Sequence, residues 1–139
     1  MSNFNGLYNI RAFKEEDRSF IMATFLKGLY YGESHFSEIP KDIFMKAYHP
    51  YLSSMPASKN VLIKVACLPD DPDTVIGYSI LTLDQETVIW VFVKGPWRQK
   101  GVAKSLLPSN PKYVGHLTKL GRMLLSKVNN PSFNPFFNL

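Results

Sequence analysis

The stretch VIWVFVKGPWRQKGVAKSLL, from Val88 to Leu107, decides how this chain folds. Thr87 to Val93 is almost wholly apolar, the pattern of a central strand covered on both faces. Gly95 and Pro96 follow as a turn. A helix opens near Gly101, and Pro108 stops it after about two turns. The first amides of a helix have no partner within it, carry partial positive charge and suit a phosphate. Gly101 and Ala103 have little or no side chain, so a ligand can approach the backbone closely, and Arg98, Lys100 and Lys104 add charge at the same spot.

Upstream, Tyr8 to Phe13 alternates and reads as a first strand. The acidic segment Lys14 to Asp17 reads as a helix start, followed by Phe20, Ile21, Thr24, Phe25, Gly28 and Leu29 on one helical face. Gly32 stops that helix, and Tyr30 to Ile39 reads as a loop. A second helix starts near Pro40 with Ile43, Phe44, Ala47 and Tyr48 as its buried face, and Pro50 is expected to end or kink it. Val61 to Leu68 and Thr74 to Leu83 read as strands joined by the turn Pro69 to Asp73, and Asp84 to Glu86 makes a tight hairpin. Lys112 to Leu117 reads as a short strand, and Thr118 to Val128 as a final helix with Leu120, Leu124 and Val128 on one face. The order β, α, α, β, β, β, α, β, α predicts an α/β (α+β) fold with a mixed sheet flanked by helices.

With 139 residues the chain fits a single domain, residues 1–139. Its 45% hydrophobic share supports a packed core. No apolar run reaches membrane-spanning length, so no membrane association is expected. The N-terminus has no basic segment leading into an apolar one, and Cys67 is the only cysteine. Both fit a soluble, cytoplasmic protein, with Cys67 as a buried small residue. Residues 1–86 hold all 11 acids and 8 bases, whereas residues 87–139 hold 8 bases and no acid. Such a block attracts polyanions, either a phosphate-bearing ligand or nucleic acid. Asp70, Asp71 and Asp73 have no further ligands at calcium-loop spacing and read as a turn, so no metal site is expected.

The segment Arg98-Gln-Lys-Gly101-Val-Ala103, with the apolar strand before it and Lys104 to Leu107 after it, resembles motif A of the GNAT acetyltransferase superfamily. The resemblance covers roughly residues 6–128, and the whole pattern also looks like small phage-encoded GNAT-like proteins. It implies a mixed, mostly antiparallel sheet and acetyl-CoA as cofactor. The turn and helix start, Arg98, Gln99, Lys100, Gly101, Val102 and Ala103, with Lys104 just beyond, would hold the pyrophosphate. Phe92 and Val93 would lie beside the pantetheine arm. A strand bulge would offer an amide to the thioester oxygen, and an amine acceptor would attack directly.

Two departures stand out: Pro108 shortens the motif helix, and the final helix lacks the tyrosine that in the family protonates the leaving thiolate. Glu86, His116 and Tyr113 are the candidate acids and bases. Tyr30, Tyr31 and His35 are the candidates for the acceptor wall. The resemblance implies an N-acetyltransferase, as monomer or homodimer. Two other readings stay open: a protein that modifies or binds nucleic acid on the same scaffold, and a catalytically inactive module.

Overall fold

The computed structural model describes residues 7–32, 36–115 and 132–133. Strand β1 spans Asn9–Ala12, helix α1 Arg18–Gly32, helix α2 Lys41–Ser54, strand β2 Val61–Cys67, β3 Val75–Thr82 and β4 Thr87–Val93. Helix α3 covers Val102–Leu106, and two short strands follow, β5 at Tyr113–Val114 and β6 at Ser132–Phe133. The six strands form one sheet in chain order, antiparallel from β1 to β4 and parallel from β4 through β5 to β6. This is the mixed, mostly antiparallel sheet expected from the sequence. The expected strand at Thr87 to Val93 appears with those bounds.

The sheet is apolar on both faces, so each face needs a cover. One is closed by α1 and α2: Ile21, Phe25 and Leu29 pack with Ile63, Val65, Tyr78, Ile80, Ile89 and Trp90. Burying side chains of that size stabilises by about 1.5–3 kcal/mol each. The other face is closed by α3, where Val102 and Leu106 pack on Tyr8, Ala66, Ile76 and Val93. Ser79, buried in β3, donates to the Leu106 carbonyl (2.8 Å) and satisfies the end of this short helix. Cys67 is buried and free, as expected. Among the described residues no helix is long and apolar enough to cross a membrane.

Asp17 closes the entry to α1. Its carboxylate takes both Arg11 Nη atoms at 2.8 Å and the Lys14 amide at 2.8 Å. Arg11 also reaches the Pro72 carbonyl, which ties the turn after β2 to the same point. Burial pushes the Asp17 carboxyl up, but the Arg11 hydrogen bonds and the Lys14 amide outweigh it and hold the group below its ordinary range.

Helix α2 departs from expectation in its buried side, and of the two outcomes expected at Pro50 it does not show an end. It continues through Pro50 to Ser54. Pro50 is exposed, so the carbonyl four residues earlier that loses its amide partner can take water instead. Its buried side is Phe44 and Leu52, flanked by half-buried Tyr48 and Tyr51, while Ile43 is 56% exposed and Ala47 is exposed. The aromatic stripe explains the rotation: Phe44 stacks on Tyr48 and meets Tyr30 of α1, and these large rings outcompete Ile43 for the contact. The expected final helix, Thr118 to Val128, lies outside the described residues.

Candidate active site

β4 carries a bulge. Its partner register runs Leu81↔Val88 and then Ile80↔Trp90, so Ile89 is the extra residue. The bulge reverses which backbone groups face which neighbour. Before it, the carbonyls of Glu86 and Val88 point to β5, accepting from the Tyr113 and Gly115 amides (both 2.9 Å). After it, the Lys94 amide donates to the Ile76 carbonyl (2.8 Å). The alternation of an antiparallel ladder then turns Val91 and Val93 away from β3, toward the β5 side. β5 itself pairs only with Thr87 and Val88. Among the described residues, no strand pairs with the β4 edge beyond Val88, where Val91 and the Val93 amide face outward while the Val93 carbonyl is taken by Arg98.

That edge runs directly into the Gly95–Trp97 turn and the start of α3. Gln99 and Gly101 both adopt positive φ, 65° and 86°. Such a φ suits glycine at Gly101, which is the N-cap of α3. Between the Arg98 amide, which donates to Gly95, and the Ser105 amide, which donates to Gly101, no backbone amide makes a close, well-aligned hydrogen bond among the described residues. The Gly101 carbonyl is held from the inner side by the Ser105 amide (3.1 Å), the Ser105 hydroxyl (3.1 Å) and the buried Tyr8 hydroxyl (3.2 Å). A peptide's C=O and N–H point opposite ways, so this clamp turns the Val102 N–H outward. Arg98 bends back and donates from Nε to the Val93 carbonyl (2.9 Å).

Beside the open edge lies a cleft of about 470 Å³ between β4 and α1. Helix α1 lines it with Thr24, Lys27, Gly28, Tyr31 and Gly32. The opposite wall is Trp90, Val91 and Phe92, and Arg98 stands at its end. Gly28 permits this close approach, because a Cβ there would lie 2.8 Å from Trp90 Cζ2. Thr24 hydrogen-bonds the Tyr78 hydroxyl (2.7 Å) under the cleft floor. Burial pushes the Tyr78 phenol well above the ordinary tyrosine range, so it stays neutral.

Of the residues singled out in the sequence, Tyr31, Phe92 and Arg98 meet in the cleft, Gln99 to Gly101 form the turn beyond it, and Val102 to Lys104 open α3. Tyr30, read there as part of a loop, is instead buried near the end of α1, and its hydroxyl donates to the Ile39 carbonyl (2.6 Å), which ties down the segment before α2. Glu86 and Tyr113 sit together at the start of β4: Glu86 pairs with Lys112 (3.2 Å), and its carbonyl takes the Tyr113 amide. Neither lines the cleft. His35 and His116 lie outside the described residues. Sequence reasoning missed Tyr8, Lys27 and Ser105, and counted Thr24 and Gly28 only as core. Thr24, Lys27 or Gly28, and Tyr31 do recur at the three- and four-residue spacing of one helical stripe, a usable signal once α1 is known to face β4.

No family model and no curated protein matches the sequence. Solved structures do resemble the fold. The crystal structure of "a possible acetyltransferase" from Clostridium difficile 630 aligns with a TM-score of 0.52 and 15% identity over 91% of this chain and 76% of that one. Apo YjaB from Escherichia coli aligns with a TM-score of 0.49 and 14% identity over 91% and 70%. The aminoglycoside acetyltransferase AAC(6')-Iy, solved with a bisubstrate analog of CoA and monomethyl-acetylneamine, gives 0.48 and 17% over 71% of this chain, which spans 65% of that enzyme. With its mixed six-stranded sheet, bulged fourth strand and turn into α3, the chain has the GNAT fold.

Proposed function

We propose that the chain is an acetyl-CoA-dependent N-acetyltransferase acting on an amine. The observation that carries this reading is the continuity of the β4 edge, unpaired beyond Val88 among the described residues, with the amides from Gln99 to Lys104, for which no close hydrogen bond is found among the same residues. A strand edge suits the amide-bearing arm of an acyl-CoA, and the row of amides suits its diphosphate. Arg98, Lys100 and Lys104 fall in the same short segment and match that charge, while the neighbouring Lys94 lies over the Phe20 ring, 5.2 Å from its centre. That concentration at one turn favours a small phosphate ligand over a nucleic-acid track.

The outward Val91 N–H suits the thioester carbonyl oxygen, where it would stabilise the charge that develops as an amine adds to the carbonyl carbon. The C–S bond then breaks, the electron pair leaves with sulfur, and the amine's surplus proton passes to water in the cleft. Trp90 and Phe92 shield the reacting atoms from bulk solvent. No protein nucleophile is required.

Calorimetric titration with acetyl-CoA tests the reading. Saturable binding is expected, and Gly101→Glu should abolish it while the protein stays folded, because a carboxylate would stand where the diphosphate binds. Absence of binding by the unsubstituted chain at millimolar acetyl-CoA removes the proposal.

A further inference from the structure

We infer, resting on the acetyl-transfer reading above, that the acceptor is a small amino-acid-like amine whose apolar body fills the cleft and whose carboxylate is held by Lys27. The cleft volume of about 470 Å³ suits a small molecule. Trp90, Phe92 and Tyr31 give it aromatic walls, which fit an apolar body.

Its charge is one-sided. Among the described residues the lining includes two cations, Lys27 and Arg98, and no carboxylate. A third cation stands at the mouth, with Lys41 Nζ 5.5 Å from the centre of the Tyr31 ring. Arg98 gives its Nε to the Val93 carbonyl, and its charge is assigned above to the diphosphate. Lys27 is exposed, with no ion-pair partner among the described residues. A polycationic acceptor meets like charge here and pays twice, in repulsion and in the burial of its own ammonium groups. An acid is drawn in. The same positive field favours the neutral form of an incoming amine, which is the form that attacks. Lys27 thus selects the acceptor and also helps it enter unprotonated.

The test is calorimetric titration of the CoA-loaded chain with two product-like probes, N-acetyl-L-phenylalanine and its neutral amide, N-acetyl-L-phenylalaninamide. The acid should bind about tenfold more tightly or better, a preference that falls with salt. Lys27→Gln should erase the preference and Lys27→Arg should keep it, with thermal melts showing both variants folded. Equal affinity for the two probes, binding of neither, tighter binding of kanamycin, or a preference untouched by Lys27→Gln each overturns the proposal and leaves the acetyl-transfer reading standing. Failure of CoA alone to bind overturns both and is seen before either probe is added.

Discussion

The hydroxyl of Tyr8, buried at the entry to β1, lies 3.2 Å from the carbonyl oxygen of Gly101, at the far side of the sheet's connectivity. It also lies 2.7 Å from the Ser105 hydroxyl. One end of the chain therefore holds the turn that presents the free amides. Tyr8→Phe keeps the ring packing and removes this support. The Ser105 amide still holds the carbonyl, so the expected loss is about 1 kcal/mol of stability. The looser turn should weaken acetyl-CoA binding several-fold. Denaturant unfolding and calorimetry measure the two effects separately.

Gly101 holds a φ of 86°, yet a Cβ there would meet only the Tyr8 hydroxyl, at 3.8 Å. The obstacle to a side chain is backbone conformation, not space. Gly101→Ala should cost about 1–2 kcal/mol and reduce acetyl-CoA affinity, because the helix start shifts to relieve the strain. Unchanged affinity would show that the turn's left-handed geometry is not needed for the ligand.

Gly28 poses the reverse case. Alanine is the better helix former by about 1 kcal/mol, but its methyl would press on the Trp90 ring at 2.8 Å. Trp90 is stacked on Phe25, with ring centroids 4.3 Å apart, so it can yield only toward the cleft and by giving up that stack. Gly28→Ala should therefore be net destabilising by about 1–2 kcal/mol and should displace the indole toward the cleft. Chemical unfolding reads the first effect. A changed tryptophan emission, separated from that of Trp97 by a Trp97→Phe background, reads the second.

Asp17 sets a pH dependence. Its folded pKa lies below the unfolded carboxylate value, with burial opposing and the Arg11 hydrogen bonds and Lys14 amide prevailing. Its contribution to stability is then full above the unfolded value of about 4. It is lost as pH falls through the lowered folded value. Asp17→Asn leaves Arg11 without its partner, and the cost at pH 7 should be about 3 kcal/mol. The gap between the original and substituted chains should narrow steadily below pH 4. Urea titrations across pH check this, and a gap independent of pH would remove Asp17 as the source.

The order of elements from β1 to β5, the span of β4 and the glycine that opens α3 were legible in the sequence, because each is written in a short window; β6, paired from the tail, was not. A run of apolar residues marks a doubly covered strand, and Gly and Pro punctuate the backbone wherever they stand. Windows of that kind misread α2, where exposure let Pro50 pass and a ring stripe drawn from α1 chose the buried side. Tertiary structure alone decided the site. The bulge at Ile89 turns Val91 outward only because β3 and β5 flank the strand with those registers. The clamp on Gly101 needs Tyr8, and the charged cleft needs Lys27 from α1 beside Arg98 from the turn. Residues so distant in the chain become neighbours through the packing of both sheet faces, and no local pattern records which of them will meet.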